Sequence, residues 1–432
     1  MSTQNSMNKE QDRQAAEERF RMGTGEYTEG RLEQAAISLG NAECLFYLVG
    51  DFQRTADSRA MIADIERQIG LLEQSTSSYW CAIQLYRDTG RTGDEAQSLL
   101  ALGHVERQLG HLDHAQETYL LAQKLYQSLG QVPALGHVAL ALGHTEMQRA
   151  HLEQAGQYYQ EALSSFRAVA DEGETDALSS LSNLQRLMGR FSEAEANCRL
   201  GLERYRASKD TSGSINALTD LGWIYLDAGR LEQAAQVFAE ALEVARSADY
   251  AQGEGGAYLG LAEVDLRQGQ VDQALLEAQA ALLAYTSYRY DLGIANAQRL
   301  LAEIHLQRGQ LFDASSLMEE AIRLYKQHVF QRGLANALVG FGEIQRRRGL
   351  LADAIHAFLQ GREKARQWGI SLVESRALLG LGDIYRQRGQ PELAERMYLE
   401  AKACIERPGI AGGIQWLAEA DLRLASLTSL LE

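Results

Sequence analysis

An all-α fold built as a stack of repeated helix pairs is what this sequence predicts, and three observations predict it. Glycines recur at Gly30, Gly70, Gly110, Gly189, Gly229, Gly269, Gly309, Gly349 and Gly389. The spacing is 40 residues, with Ala150 replacing one glycine and one residue missing between 150 and 189. Small residues lie five and twelve positions after each mark, as at Ala234 and Ala241, and a large apolar residue lies eight before it, as at Leu221, Leu261 and Leu301. Self-similarity at such a period marks a solenoid in which no unit buries its apolar face alone.

Each unit reads as two helices joined at the glycine. Segments such as 215–228 and 231–246 carry apolar residues at i, i+3, i+4 and i+7, the periodicity of an amphipathic helix. Glycine suits the φ > 0 corner between them. Gly103, Gly143, Gly222, Gly342 and Gly382, seven before the corner, let the first helix approach its partner closely. Aromatics nine after it, such as Tyr119 and Phe238, and sixteen after it, such as Tyr126 and Tyr285, fill the space between units.

The domain reading follows in chain order. Residues 1–10 are polar and expected as a disordered N-terminal tail. Residues 11–410 hold ten tandem repeats in one continuous solenoid. Pro408, Gly409, Gly412 and Gly413 break the pattern. Residues 411–432 are expected as a C-terminal capping helix, with Trp416, Leu417, Ala420, Leu424 and Leu427 on one stripe. A partner-binding tail helix is the alternative for that segment.

Composition excludes several classes. Lys+Arg 42 against Asp+Glu 58 leaves a net charge of −16, which repels phosphate backbones and argues against nucleic acid as a partner. No apolar run approaches ~18 residues, so no membrane span is expected. The N-terminus lacks the apolar stretch of a signal peptide. Four scattered cysteines form no metal-ligand pattern and read as reduced, mostly buried thiols of a cytoplasmic protein.

Leu-Gly before the corner, glycine at it, then alanine, an aromatic and alanine again: this pattern resembles the tetratricopeptide repeat (TPR). LGWIYLDAGRLEQAAQVFAEAL, residues 221–242, is close to an ideal copy. The resemblance spans residues 11–410 and implies a right-handed α-solenoid of ten helix pairs. Two departures stand out. The period is 40 rather than the commoner 34, similar to the long-repeat subgroup containing the Pins/LGN-type scaffolds and many bacterial TPR signalling proteins. The proline that often closes a repeat is missing. Such repeats serve unrelated roles, so fold alone names no function.

No HExxH, GxGxxG, GxxxxGK[ST] or GxSxG pattern stands at a strand-to-helix position, so no enzyme is expected. Six of the nine histidines lie between His104 and His151. His104/His144 and His111/His151 are the same sites in adjacent repeats, so duplication explains the cluster better than a metal. No metal and no cofactor are expected.

In this repeat family the first helix of each pair lines the concave face. Its solvent-facing sites nominate a partner-binding surface: Asn183, Asn216, Trp223, Glu263, Asn296, Glu303, Asn336, Glu343, Arg376 and Asp383. Trp223 is the expected exposed anchor, because tryptophan is enriched in interface hot spots. The competing reading pairs Glu343 with Arg346 and Asp383 with Arg386 on their own helices. The lysine, arginine and asparagine clamp of chaperone-tail binders is absent, since Phe20, Thr24, Ala60, Asp64, Leu100 and His104 stand at the early sites.

The expected function is therefore a non-enzymatic scaffold or adaptor. Its partner is another protein, held as an extended peptide or helix containing basic residues, with no nucleic acid or membrane involved and a homo-oligomer compatible with the sequence. The alternative is a ligand- or peptide-responsive regulator of the bacterial pheromone-receptor type. That reading ranks second because the first repeat begins near residue 14, leaving no room for an N-terminal effector part.

Overall fold

A computed structural model of the chain describes residues 2–328, 330–406 and 414–431. The described residues are 87% helical, and no strand occurs among them. They form two compact units, residues 1–177 and 178–432. The first contains α1 (Ser2–Thr28), α2 (Leu32–Val49), α3 (Phe52–Gln68), α4 (Leu72–Asp88), α5 (Thr92–Gln108), α6 (Leu112–Leu129), α7 (Val132–Gln148), α8 (Leu152–Val169) and the start of α9 (Glu174–Leu187). The second contains the rest of α9, then α10 (Phe191–Ser208), α11 (Thr211–Asp227), α12 (Leu231–Ser247), α13 (Ala251–Arg267), α14 (Val271–Ser287) and α15 (Asp291–Gln307). It continues with α16 (Leu311–Gln327), α17 (Gln331–Arg347), α18 (Leu351–Gln367), α19 (Ser371–Gln387), α20 (Pro391–Ile405) and α21 (Ile414–Leu431).

The residues expected as one solenoid thus divide inside α9. That helix has 14 residues where first helices such as α11 have 17, and it sits where the 40-residue spacing loses one. At the other end, residues expected as a polar tail are helical from Ser2 onward. No glycine or proline interrupts them, and the Gln, Glu, Lys and Met among them are good helix formers.

The corners form as the glycines require. Gly229 has φ +76°. Its N–H donates to Leu226 O at 3.1 Å and that of Arg230 to Tyr225 O at 2.8 Å, the paired bonds of a Schellman ending. Ala150 takes the same left-handed corner at φ 62°, a conformation that costs an alanine about 1–2 kcal/mol. Close approach is the second use of glycine. A Cβ on Gly222 would lie 2.4 Å from Phe238 Cε1, and one on Gly260 would lie 2.3 Å from the same atom. Phe238 is fully buried, gripped by α11 and α13 together.

The expectation of mostly buried thiols holds for Cys198 and Cys404, while Cys44 and Cys81 are exposed. In the tail helix α21, Ala420 and Leu427 are buried against Leu378, Tyr398 and Ala401, with Trp416 and Leu424 at the edge. The pattern-breaking Pro408 to Gly413 stretch lies outside the described residues. Among the described residues no helix is long and apolar enough to cross a membrane.

Candidate functional site

The ten nominated residues all belong to the second unit. Its first helices touch in succession, α11 with α13, α13 with α15, α15 with α17 and α17 with α19. Among the described residues the second helices α12 to α20 make no contacts as extensive. The first helices are therefore the tighter, inner row.

Charge on that row is largely paired. Arg299 Nη1 donates to Glu303 Oε1 at 2.7 Å and Arg267 Nε to Glu263 Oε1 at 3.3 Å. Arg346 and Arg347 both reach Glu343, at 2.8 and 2.9 Å. Arg186 donates to Asn183 Oδ1 at 3.0 Å and pairs with Asp227. Asn296 Oδ1 accepts from Tyr325 Oη at 2.6 Å, and Asn336 Nδ2 donates to the Arg332 carbonyl at 3.2 Å. Asn216 is exposed. Burial, and then the neighbouring Glu303 charge, raises the Glu263 carboxyl, opposed by Arg299 and Arg267. The Glu343–Arg346 pairing foreseen as the competing reading is formed.

Three nominated residues are engaged elsewhere. Asp383 is buried: its carboxylate accepts from Arg423 of α21 at 3.0 and 3.2 Å and from Tyr398 Oη at 2.8 Å. The groove ligand expected at this position is thereby corrected, because α21 brings a cation that covers it, and Arg386 reaches Ser426 instead. Arg376 lies over the Trp416 ring, 5.3 Å from its centre. Trp223 is half-buried and packs edge-on to Phe238 with ring centres 5.4 Å apart. Its ring is shared between the groove and the core, rather than being the free anchor expected.

Two groove residues went unnominated. Asp220 on α11 and Arg332 on α17 both reach solvent, yet protein surrounds them. Desolvation raises the Asp220 carboxyl to about 6, against the pull of Arg186. It lowers Arg332 to about 10, with Arg186 acting in the same direction and Asp227 against it. Charges at the C-terminal ends of α9 and α11 are thus felt at the start of α17. The inner row curves enough to bring these ends to face one another across a groove. Neither side chain has an ion pair or hydrogen bond among the described residues. A signal was present in the repeat itself. The equivalents of Asp220 are Gly260, Leu300, Gly340 and Gly380, and those of Arg332 are Ser212, Gln252, Leu292 and Leu372. From α11 onward each is the one charge in its column, while earlier repeats place Arg21 in the first column and Arg13 and Glu172 in the second.

Among the described residues no group of three or more His, Cys, Asp or Glu side chains converges as a metal site.

Profiles of the tetratricopeptide repeat match residues 96–129, 175–247, 294–329 and 377–408. No curated protein matches the chain by sequence. Solved structures similar in fold include a Rap protein complexed with competence and sporulation factor, at 14% identity and TM-score 0.50, over 78% of this chain and 99% of that one. The Rap conjugation gene regulator of plasmid pLS20, in complex with a Phr peptide, shares 14% identity at TM-score 0.54 over 74% of this chain and 93% of its own. The apo quorum sensor NprR from B. thuringiensis shares 13% identity at TM-score 0.54 over 79% of this chain and 100% of its own.

Proposed function

We propose that this chain, a tetratricopeptide-repeat protein, is a non-catalytic binding protein whose second unit holds an extended peptide segment along α11, α13, α15 and α17. The observation that carries the reading is the pair of unpartnered charges, Asp220 and Arg332, accessible in a groove whose other charges are mostly satisfied. A desolvated, unpaired carboxylate favours a cation brought by a ligand, so the bound segment carries a basic side chain or amine opposite Asp220. Arg332 donates to a carboxylate or a backbone carbonyl of the bound segment. Asn216 is placed to hydrogen-bond peptide backbone, and the open part of the Trp223 ring offers apolar contact. Under this reading α21 closes the end of the repeat array, and the protein acts in the cytoplasm.

A second reading is a peptide-responsive regulator. It is favoured by the fold shared with Rap proteins whose structures hold a competence factor or a Phr peptide.

Selection from a displayed random-peptide library tests the proposal. The wild-type chain should enrich peptides containing Lys or Arg. Asp220→Asn should weaken the selected peptides tenfold or more, the scale of a lost charge-assisted hydrogen bond of ~1.5–3 kcal/mol. Arg332→Gln should weaken peptides bearing an acidic group. Equal binding by both variants would remove the groove from consideration.

A further inference from the structure

The first unit carries an inner row of its own, in which α3 touches α5 and α5 touches α7. In α3, Asp64 pairs with Arg67 at 3.5 Å and accepts from Tyr79 Oη at 2.5 Å. One repeat later His104 takes the aspartate's place, its Nδ1 2.9 Å from Tyr119 Oη. Arg107 takes the place of Arg67, but among the described residues it has no carboxylate partner. Its Nε is buried without a hydrogen-bond partner, while the guanidinium reaches the Tyr119 hydroxyl. One repeat further on, His144 occupies the same position with its ring edge-on to Tyr159, centres 5.3 Å apart. Replacing a carboxylate by imidazole twice in succession leaves one guanidinium charge uncompensated.

We propose that Arg107, His104 and His144 form an anion site in the first unit that accepts a single carboxylate, presented by an acidic side chain or the C-terminus of a peptide. One uncompensated guanidinium matches a planar monoanion, and its fork fits a carboxylate. A phosphate dianion would need further cations. Arg67, the nearest on α3, is already balanced by Asp64. When Tyr119 Oη donates to His104 Nδ1, the neutral ring carries its proton on Nε2, as a further donor.

The groups acting on the two rings are Arg67 on α3, Arg107 on α5 and His137 on α7, with His144 also acting on His104, Tyr119 of α6 bonded to His104 and Tyr159 of α8 packed on His144. His137 in turn acts on Asp176 of α9, which burial raises. Burial, and then the Arg107 charge, holds both imidazoles neutral, with pKa values lowered to about 4. A bound carboxylate offsets Arg107 and raises both. Binding then takes up protons, so affinity increases as pH falls from 7 towards 5, above the titration of the ligand's own carboxyl.

The test is a titration of the full chain with sodium acetate, at ionic strength held constant with sodium chloride, following the imidazole Hε1 resonances. Acetate should shift His104 and His144 and raise their pKa values by roughly one unit, the effect of one opposite charge nearby. Arg107→Gln should abolish both effects. So should His104→Asp, which rebuilds the Asp64–Arg67–Tyr79 arrangement internally and therefore preserves the fold, checked by the melting temperature. A response no larger than that to chloride, or wild-type responses at His144 in both variants, overturns the proposal. Saturation by inorganic phosphate at lower concentration than by acetate overturns the carboxylate assignment. Two tetrapeptides separate the sources: one has an internal glutamate and an amidated end, the other is neutral with a free C-terminus. Whichever competes with acetate names the source, and competition by neither refutes a peptide ligand.

Discussion

Gly256 and Gly260 lie one turn apart on α13 and offer a paired test of how the repeats pack. Gly→Ala in a helix interior gains up to about 1 kcal/mol from propensity at either site. At Gly256 an added Cβ meets nothing nearer than Thr219 Cγ2 at 3.6 Å, ordinary van der Waals contact. At Gly260 it would lie 2.3 Å from Phe238 Cε1. That ring has no direction of retreat, because Gly222 presses it equally closely and Trp223 packs on its edge at 5.4 Å. Overpacking of this kind costs about 1–3 kcal/mol. Gly256→Ala should therefore stabilise the second unit by about 0.5–1 kcal/mol. Gly260→Ala should lose about 1–2 kcal/mol net, a difference of about 1.5–3 kcal/mol between neighbouring sites. Urea unfolding followed by circular dichroism measures the midpoints. Hydrogen exchange in α11 to α13 shows whether the loss is local, as nearest-neighbour coupling in a solenoid requires. Equal shifts for the two variants would refute the packing of Phe238 between α11 and α13.

Two further perturbations probe the second unit. Burial, and then the charge of Asp265, raises Glu277 to about 7, and its Oε2 has no hydrogen-bond partner. An unfolded glutamate titrates near ~4.3, so the folded state holds the extra proton between about 4.5 and about 7. Stability should fall as pH rises through that window. Glu277→Gln should flatten the fall in thermal melts, and an unchanged slope would exclude this carboxyl as its source. Arg423→Ala leaves Asp383, 6% exposed, without its cation, a loss of about 3 kcal/mol for a buried pair broken on one side. Hydrogen exchange in α21 should rise strongly, and retained protection would show that apolar contacts alone hold that helix.

The repeat and its corners were legible in the sequence because each depends on backbone geometry that few residues satisfy. Gly229 marks a φ > 0 corner whether or not its surroundings are known, and Gly222 implies a close approach wherever an aromatic follows at the position of Phe238. The nominated ladder was legible only in part. Periodicity places Glu343 on the inner row, and its i+3 spacing from Arg346 foretells their pairing. It does not say that Arg423, forty residues beyond Asp383, returns to neutralise that carboxylate, or that Trp223 divides its ring between groove and core. Asp220 and Arg332 stand out as the one charge in each of their columns from α11 onward. Their meaning, though, comes from curvature, since a side chain is desolvated by what surrounds it in space. The sequence by itself determined the all-helical repeat, the corner residues and the face each helix turns inward, because these follow from local conformation and a period. Only the tertiary structure decided which charges are cancelled and which, as at Arg107, Asp220 and Arg332, are left for a ligand, because pairing depends on distances between residues that no repeat period sets.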